Sequence, residues 1–319
     1  MSTEALPTST PVRRALSGPG MGARWSAVYY SHDALEAGAL ARRLAEAVEA
    51  VEQEMSPWRP ESEVERLNRA PLGARIPLPR NLFRVIESAL EIGDMSGGAF
   101  DVGVGDLVRA FGLGAGARSA DPVAVAALTG HPTFRPPQGL QLDPASLSAR
   151  RLAPLRVDLS AIAKGFGVDE LARVMAEAGV ASFLVGIDGE MRAAGRKADG
   201  RPWAVGHERP DGEACTLMGV IELTDCAVAT SGNYRRVRTV SARTVSHTMD
   251  PRRGAPVVND LASVTVVAPT AMAADAWATA FMGLGSARGV VLADRLGLRA
   301  LFVTSAGEVV ATKACNLRS

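Results

Sequence analysis

The chain has 319 residues, 47% of them hydrophobic and 22% charged, and its 35 lysines and arginines nearly balance 34 aspartates and glutamates. These values are typical of a globular protein with a sizeable core, and the even charge gives no electrostatic reason to expect a nucleic acid or an anionic membrane as partner. The sequence has no HExxH, CxxC or GxSxG motif, which disfavours a zinc hydrolase, a disulfide framework and a serine hydrolase.

Residues 1–20 are polar and rich in proline and glycine, so we predict a disordered N-terminal lead-in. Arg13 and Arg14 are compatible with an export signal, but no apolar run of signal-peptide length follows them. No stretch reaches the roughly 20 apolar residues of a membrane span, and no lipidation cysteine lies near the start. The sequence therefore predicts a cytoplasmic protein with one domain over residues 21–319.

The remaining chain alternates between apolar patterns of helical and strand period. In chain order they predict a strand at 24–30, a helix at 39–55, a short helix capped by Ser62, a helix within 81–98, a strand at 155–160, a helix at 167–179, strands at 181–187, 189–195, 202–208, 219–232, 243–250 and 261–269, a helix at 270–285 and a closing hairpin at 299–312. The order runs from helix-rich to strand-rich with one βαβ-like stretch. It favours an α+β fold with largely antiparallel sheets and packed helices.

Asp275 and Thr279 lie four residues apart in the last predicted helix, so they share one face of it. Their neighbours are small alanines. A carboxylate and a hydroxyl on an otherwise apolar face suit a hard cation such as Mg²⁺, which takes oxygen ligands. The alternative is that the two side chains cap the helix or face solvent.

Asp158 and Lys164 lie in the stretch VDLSAIAKGFG, which we predict to connect a strand to a helix. A lysine there can reach phosphate oxygens, and Gly165 and Gly167 allow a ligand to approach the backbone closely. The alternative is a surface lysine paired with a nearby acid.

Two further polar stretches are candidates for binding or catalysis. Phe100 and Asp101 follow a glycine pair, which predicts either a ligand-binding loop or a helix end followed by a bend. His247 lies in VSHTMDPRRG with Asp250 three residues on, so it is a candidate general base. A lone histidine is also compatible with a structural role.

The order of these motifs resembles that of one known family. MGARWS, SPWRPESEVERLN, GGAFDVGVGDLV, VDLSAIAKGFGVDEL, PWAVGHERP, ATSGNY, SHTMDPRRGAPV and ADAWATAFMGLG occur in the sequence order of the ApbE family of flavin transferases. The resemblance covers roughly residues 21–319. It implies a duplicated α+β arrangement of the T-fold type. It also implies an Mg²⁺-dependent FAD:protein FMN transferase, which attaches FMN through a phosphoester to a Thr or Ser of an acceptor protein and releases AMP.

The resemblance also implies roles for individual residues. Those implied to bind FAD are Met21, Trp58, Ala99, Phe100, Asp101, Asp158, Lys164 and Thr248. Asp275 and Thr279 match the metal ligands, with Ala278 beside them and the carbonyl of Ala161 as a further ligand. His247 and Asp275 are the implied catalytic residues, with His247 as the candidate base.

The segment GIDGE at residues 186–190 departs from the family pattern N-x-G-G-D, because Gly186 replaces the asparagine and Asp188 a glycine. Asp188 would either repel a phosphate or supply another metal ligand. This departure motivates one alternative to the transferase, a non-catalytic FAD-binding protein. An Mg²⁺-dependent FAD diphosphatase that forms FMN and AMP also stays open, because it needs the same metal and diphosphate site.

Overall fold

The protein is represented by a computed structural model that describes residues 11–31, 36–115, 119–131, 139–210, 216–233, 237–240 and 243–315. The helices are α1 (Ala37–Met55), α2 (Glu63–Arg69), α3 (Arg80–Met95), α4 (Gly105–Ala110), α5 (Pro122–Leu128), α6 (Ala163–Glu177), α7 (Ala271–Leu284) and α8 (Ser286–Arg295). The strands are β1 (Val12–Gly20), β2 (Ala23–Ser31), β3 (Ile76–Pro77), β4 (Leu140–Asp143), β5 (Ser148–Arg151), β6 (Ser182–Ile187), β7 (Glu190–Ala194), β8 (Trp203–Glu208), β9 (Leu217–Leu223), β10 (Ala227–Gly232), β11 (Val237–Val240), β12 (Arg243–Ser246), β13 (Met249–Asp250), β14 (Ala255–Pro256), β15 (Leu261–Ala268), β16 (Arg299–Thr304) and β17 (Val309–Ala311).

An eight-stranded sheet with the order β1-β2-β6-β7-β10-β15-β16-β17 forms the centre of the fold. Neighbouring strands in it pair antiparallel throughout. Helices α6 and α7 pack against each other over the middle strands of this sheet, and α1 packs beside α6. The prediction of an α+β fold with largely antiparallel sheets is therefore confirmed, whereas the duplication stays a prediction.

The apolar core lies mainly between these helices and the sheet, in two large clusters. One joins α3 and α7 to β15 and β16, and the other joins α1 and α6 to β2 and β6. Met21, at the tip of the β1–β2 hairpin, packs against both. A smaller cluster on the opposite face of the sheet includes Trp203 and Leu223, from the β8–β9 hairpin.

Several predictions about local structure are wrong, including the single strand at 243–250, which is two strands, β12 and β13. Part of the lead-in predicted to be disordered forms an edge strand, because Val12–Gly20 pairs along its whole length with β2, while residues 1–10 lie outside the described residues. Residues 155–160 form no strand and make a single isolated bridge between Val104 and Arg156. The strand predicted at 219–232 is two strands, β9 and β10, separated at Asp225, whose φ is +50°.

Among the described residues, no helix is both long enough and apolar enough to cross a membrane.

Candidate active site

Helix α6 begins at Ala163, so Lys164 lies in its first turn. The prediction that Lys164 lies on a connection before the helix is therefore wrong. Asp158 precedes the helix, and its backbone N–H donates to the carbonyl of Val102 at 2.8 Å. Its carboxylate accepts a hydrogen bond from the N–H of Ser160 at 2.8 Å. The connection is therefore a short, internally bonded turn, and Ala161 lies in it two residues before the start of α6.

Lys164 is held by acidic side chains. Its Nζ lies 2.9 Å from Oε1 of Glu190 and 3.4 Å from Oδ2 of Asp188, and its side chain is 24% exposed. Burial disfavours the ammonium, but the carboxylates of Glu190, Asp275 and Asp188 outweigh that effect and raise the pKa of Lys164 above its ordinary value. Lys164 is thus paired with acids, as the alternative interpretation required, but it lies in the interior of the site rather than on the surface.

Asp275 lies in α7 and is buried. Its Oδ2 accepts a hydrogen bond of 3.0 Å from the backbone N–H of Gly165, in the first turn of α6. Burial raises the pKa of Asp275, while the charge of Lys164 and the Gly165 N–H act in the opposite direction. The neighbouring helices therefore bring Lys164 and Asp275 together from positions 111 residues apart, and the interpretation of Asp275 as a solvent-facing residue is wrong.

Glu190, the first residue of β7, is the second buried carboxylate of this cluster. Burial and the nearby charge of Asp275 raise the pKa of Glu190 to about 7, although Lys164 opposes the shift. Its Oε2 is buried and has no hydrogen-bond partner among the described residues. The sequence indicated Glu190 only as part of a departure from a motif, because a hairpin separated from Lys164 by a helix gives no spacing signal.

Thr279 lies one turn beyond Asp275 on α7, and Ala278 beside it is buried. The hydroxyl of Thr279 is 3.2 Å from that of Ser231 in β10. No group of three or more His, Cys, Asp or Glu that would hold a metal occurs within the described residues. A cation at this place would therefore need hydroxyl, carbonyl or ligand oxygens besides Asp275, a mixed oxygen set that Mg²⁺ accepts.

His247 and Thr248 follow β12 directly. Thr248 is buried, its N–H donates to the hydroxyl of Ser246 at 2.9 Å, and its carbonyl accepts from the N–H of Val257. The Ser246 hydroxyl also donates to Asn233, two residues after Ser231. The end of β10 thus contacts both Thr279 and the segment that carries His247. Tyr234 of the ATSGNY motif lies outside the described residues.

The glycine-rich turn after α3 lies against the other end of α7. The carbonyl oxygen of Ala99 is 3.0 Å from the position that a Cβ on Gly283 would take. Phe100 is 2% exposed, so its side chain belongs to the core. Asp101 accepts a hydrogen bond of 2.7 Å from the N–H of Gly103, and a pocket lies between this turn and α3.

Met21 and Trp58 belong to two surface turns that one ion-pair network connects. Met21 and Gly22 both have positive φ, 53° and 69°, as a two-residue hairpin turn requires. The Met21 N–H donates to the carboxylate of Glu52, which also pairs with Arg59. Trp58, next to Arg59, is 65% exposed, so its ring is accessible to a ligand.

The Met21 turn also reaches α6. A Cβ on Gly167 would lie 2.7 Å from the Met21 sulfur and 3.1 Å from the side chain of Ile187. The absence of a side chain at Gly167 therefore allows the hairpin tip to pack directly on the helix, three residues after Lys164. The structure thus brings Met21, Lys164 and Asp275 to the same end of α6.

Asn68 supports the site and was not identified from the sequence. Its amide group donates to the carbonyl of Val157 at 2.9 Å and accepts from the N–H of the same residue at 2.7 Å. It thereby pairs with the backbone directly before Asp158, as a neighbouring strand would. The side chain of Asn68 also contacts Glu65, which forms an ion pair with Arg156.

Comparison with known proteins identifies the family. The model of the ApbE family matches residues 21–302. A Salmonella typhimurium protein named FAD:protein FMN transferase is 31% identical over 307 residues, which cover 94% of this chain and 87% of the relative. The flavinyl transferase ApbE of Pseudomonas stutzeri, solved in its apo form, superposes with a TM-score of 0.85 at 31% identity, covering 97% of each chain. The flavin transferase ApbE from Vibrio cholerae gives a TM-score of 0.84 at 30% identity, covering 95% of this chain and 98% of that one. The chain therefore belongs to the ApbE family.

Proposed function

We propose that this protein is an FAD:protein FMN transferase. The observation that carries the proposal is the buried cluster of Lys164, Asp275 and Glu190 at the start of α6, in a chain similar over nearly its whole length to proteins named for this activity. A lysine among carboxylates suits a substrate that combines a diphosphate with a divalent cation.

The donor set is compatible with Mg²⁺. The cluster contains two buried carboxylates, Asp275 and Glu190, and a single lysine. Burial raises the pKa of both carboxyl groups, and the charge of Asp275 raises that of Glu190 further, so a cation would relieve an unfavourable concentration of negative charge. Asp275 and Thr279 would hold the ion, with the carbonyl of Ala161 as a further ligand and Ala278 as the small neighbour between them.

A bound Mg²⁺ would act as a Lewis acid that neutralises charge developing on the diphosphate. The chain's own residues would bind and orient the substrate. Lys164 would release part of its contact with Glu190 and Asp188 and pair with phosphate oxygens, while Asp158 and the backbone of Ala99, Phe100 and Asp101 would hold the remainder of FAD with Thr248. Met21 and the exposed Trp58 would contact the flavin ring.

In the reaction, the acceptor hydroxyl oxygen forms a bond to the phosphorus of the FMN half. The bond between that phosphorus and the bridging oxygen breaks, and the electron pair leaves with AMP. His247 accepts the proton of the hydroxyl. If water replaces the acceptor hydroxyl, the same residues perform FAD hydrolysis, which is the alternative activity.

The test is incubation of purified protein with FAD and Mg²⁺, with and without an acceptor domain that carries a flavinylation-type threonine. AMP release and the intact mass of the acceptor are followed. We expect an FMN adduct on the acceptor and its loss in Asp275→Asn and His247→Ala. Asp260→Asn is the matched control, because Asp260 is a carboxylate that bonds to the N-terminus of α8.

Each other outcome identifies a different function. AMP release without an adduct indicates the diphosphatase, and bound FAD without turnover indicates the non-catalytic binding protein. Retention of full activity in Asp275→Asn would contradict the proposed site. The cytoplasmic location and an acceptor protein with a flavinylation-type Thr or Ser stay predictions, to be tested by fractionation and by mass spectrometry of flavinylated proteins.

A further inference from the structure

Asp169 of α6 occupies the N-terminus of α7. Its Oδ1 accepts a hydrogen bond from the N–H of Ala271 and its Oδ2 one from the N–H of Met272, both at 2.9 Å. Thr270 caps the next amide, that of Ala273, with its own hydroxyl. The free amides in the first turn of a helix need such partners, and a carboxylate at that end also interacts favourably with the helix dipole.

The same two helices meet at the catalytic cluster one turn earlier on α6. Gly165 and Asp169 are four residues apart and therefore share a face of α6, just as Ala271 and Asp275 share a face of α7. A Cβ on Gly165 would lie 2.3 Å from the carbonyl oxygen of Ala271, and the Gly165 N–H donates to Asp275. The contact between α6 and α7 thus positions Asp275, and Asp169 stabilises the same contact through its hydrogen bonds to the first turn of α7.

Arg192 connects this contact to the sheet. Its Nη1 is 2.7 Å from Oδ1 of Asp169, and the Asp169 side chain is 13% exposed. Arg192 follows Glu190 by two residues in β7, so both side chains lie on the same face of that strand. Strand β7 therefore contacts α6 twice, through Glu190 with Lys164 and through Arg192 with Asp169.

We propose that Asp169, supported by Arg192, is a positioning residue for the metal site, because it fixes the start of α7 against α6 and so the place of Asp275 relative to Lys164. The inference rests on the proposed function, since it assigns Asp169 to the site where Asp275 would hold a divalent cation. Asp169 itself contacts backbone amides and Arg192 and takes no part in the chemistry.

The direct test is binding of Mn²⁺, a paramagnetic substitute for Mg²⁺ at oxygen sites, measured by electron paramagnetic resonance on the purified full chain. In Asp169→Asn the side-chain N–H₂ takes the place either of Oδ1, where it faces the Ala271 N–H and Arg192, or of Oδ2, where it faces the Met272 N–H. A donor therefore meets a donor in both orientations. Loss of partners that orient a metal ligand weakens metal affinity by about 10- to 100-fold. We expect a loss of this size, together with a rise in the Mg²⁺ concentration for half-maximal turnover and recovery of the rate at saturating Mg²⁺.

Two comparisons separate positioning from general destabilisation. Asp260→Asn removes a negative charge from the N-terminus of α8 and is expected to leave Mn²⁺ affinity within about twofold of wild type while lowering the unfolding midpoint. Arg192→Met should weaken Mn²⁺ binding, and Arg192→Lys should restore most of it. The two Arg192 variants also test the inference if Asp169→Asn does not fold.

The outcomes distinguish this inference from the proposed function. Unchanged Mn²⁺ affinity in Asp169→Asn or in Arg192→Met, with loss of binding in Asp275→Asn, would overturn the positioning role and leave the metal site intact. Wild-type Mn²⁺ binding in Asp275→Asn would overturn the proposed metal site, and the positioning role with it. A loss in Asp260→Asn as large as in Asp169→Asn would show that destabilisation alone accounts for the effect.

Discussion

Replacement of Gly165 by alanine tests whether the close contact between α6 and α7 forms the site. The added Cβ would lie 2.3 Å from the carbonyl oxygen of Ala271 and 2.8 Å from the Cβ of Asp275. Non-bonded heavy atoms are normally separated by about 3.5 Å, so the two helices must move apart by roughly 1 Å. The Ala271 oxygen belongs to the helix backbone, and no side-chain rotation relieves the overlap.

The expected cost has two parts. Overpacking of a tight contact destabilises a protein by about 1–3 kcal/mol. Separation of the helices also weakens the hydrogen bond from the Gly165 N–H to Asp275, and a hydrogen bond to a charged group contributes about 1.5–3 kcal/mol. The better helix propensity of alanine returns up to about 1 kcal/mol. We therefore expect the free energy of unfolding of Gly165→Ala to fall by about 2–4 kcal/mol.

The assay is urea unfolding combined with Mn²⁺ affinity, and Gly38→Ala is the control. The nearest atom to a Cβ on Gly38 is the guanidinium nitrogen of Arg42, at 3.7 Å, so this variant should be neutral or more stable by up to about 1 kcal/mol. Gly165→Ala should also lose metal affinity, since Asp275 moves with α7. A stability change below about 0.5 kcal/mol with wild-type metal affinity would refute the reasoning.

Three further predictions concern other parts of the molecule. Trp58→Ala should weaken FAD binding about tenfold, by loss of an aromatic contact, with unchanged unfolding, as measured by flavin fluorescence; equal affinity would exclude Trp58 from the flavin site. Asn68→Ala leaves two buried backbone groups of Val157 unpaired and should lower the free energy of unfolding by about 2–4 kcal/mol; a change within error would contradict this role. Burial lowers the pKa of His207 below its usual 6.5. The unfolded chain therefore binds the proton more readily, and stability should fall as the pH drops below about 6.5. His207→Gln should show a weaker decline of its urea midpoint with pH, and a decline identical to that of the wild type would refute the assignment.

Two kinds of helix could be predicted from the sequence: amphipathic ones such as α1, whose apolar spacing matches one buried face, and α7, whose small apolar residues are buried on nearly all sides. The helix expected at residues 39–55 corresponds to α1, and the stretch 270–285 contains α7 and its C-terminal glycine. The turn residue Gly307 of the closing hairpin, with φ of +84°, lies between β16 and β17 as expected. In these elements local propensity and burial favour the same structure.

The wrong predictions arise where distant residues supply the stabilisation. Val12–Gly20 is an edge strand with one neighbour and largely exposed side chains, so its composition carries little strand signal. Residues 155–160 have the alternation of a strand, but the side chain of Asn68 takes the place of a neighbouring strand. Gly165 and Gly167 suggested a later start for α6, whereas they are helical residues that allow α7 and Met21 to approach.

Sequence patterns indicated several residues of the candidate site, but they did not indicate how the charged side chains of the site contact each other. Asp275 and Lys164 were chosen from local patterns and from the resemblance, and the structure places them in one cluster. Glu190, Asp169 and Asn68 were missed as parts of the site, because each acts through a partner that lies 20 or more positions away in the chain. Such pairs become visible only when the fold brings the elements together.

The charges of the cluster predict how binding of FAD and of the proposed Mg²⁺ would depend on each other. The ammonium of Lys164 faces the carboxylates of Glu190, Asp188 and Asp275, so without a cation the cluster disfavours the binding of another anion. The diphosphate of FAD adds negative charge, and a divalent cation compensates both that charge and the buried carboxylates. Binding free energies are reciprocal, so a cation that strengthens FAD binding must itself bind more tightly when FAD is present. In the proposed site the GIDGE segment would strengthen this coupling, because Asp188 adds a carboxylate next to Lys164. We therefore expect FAD affinity to depend more steeply on Mg²⁺ concentration in the wild type than in Asp188→Gly.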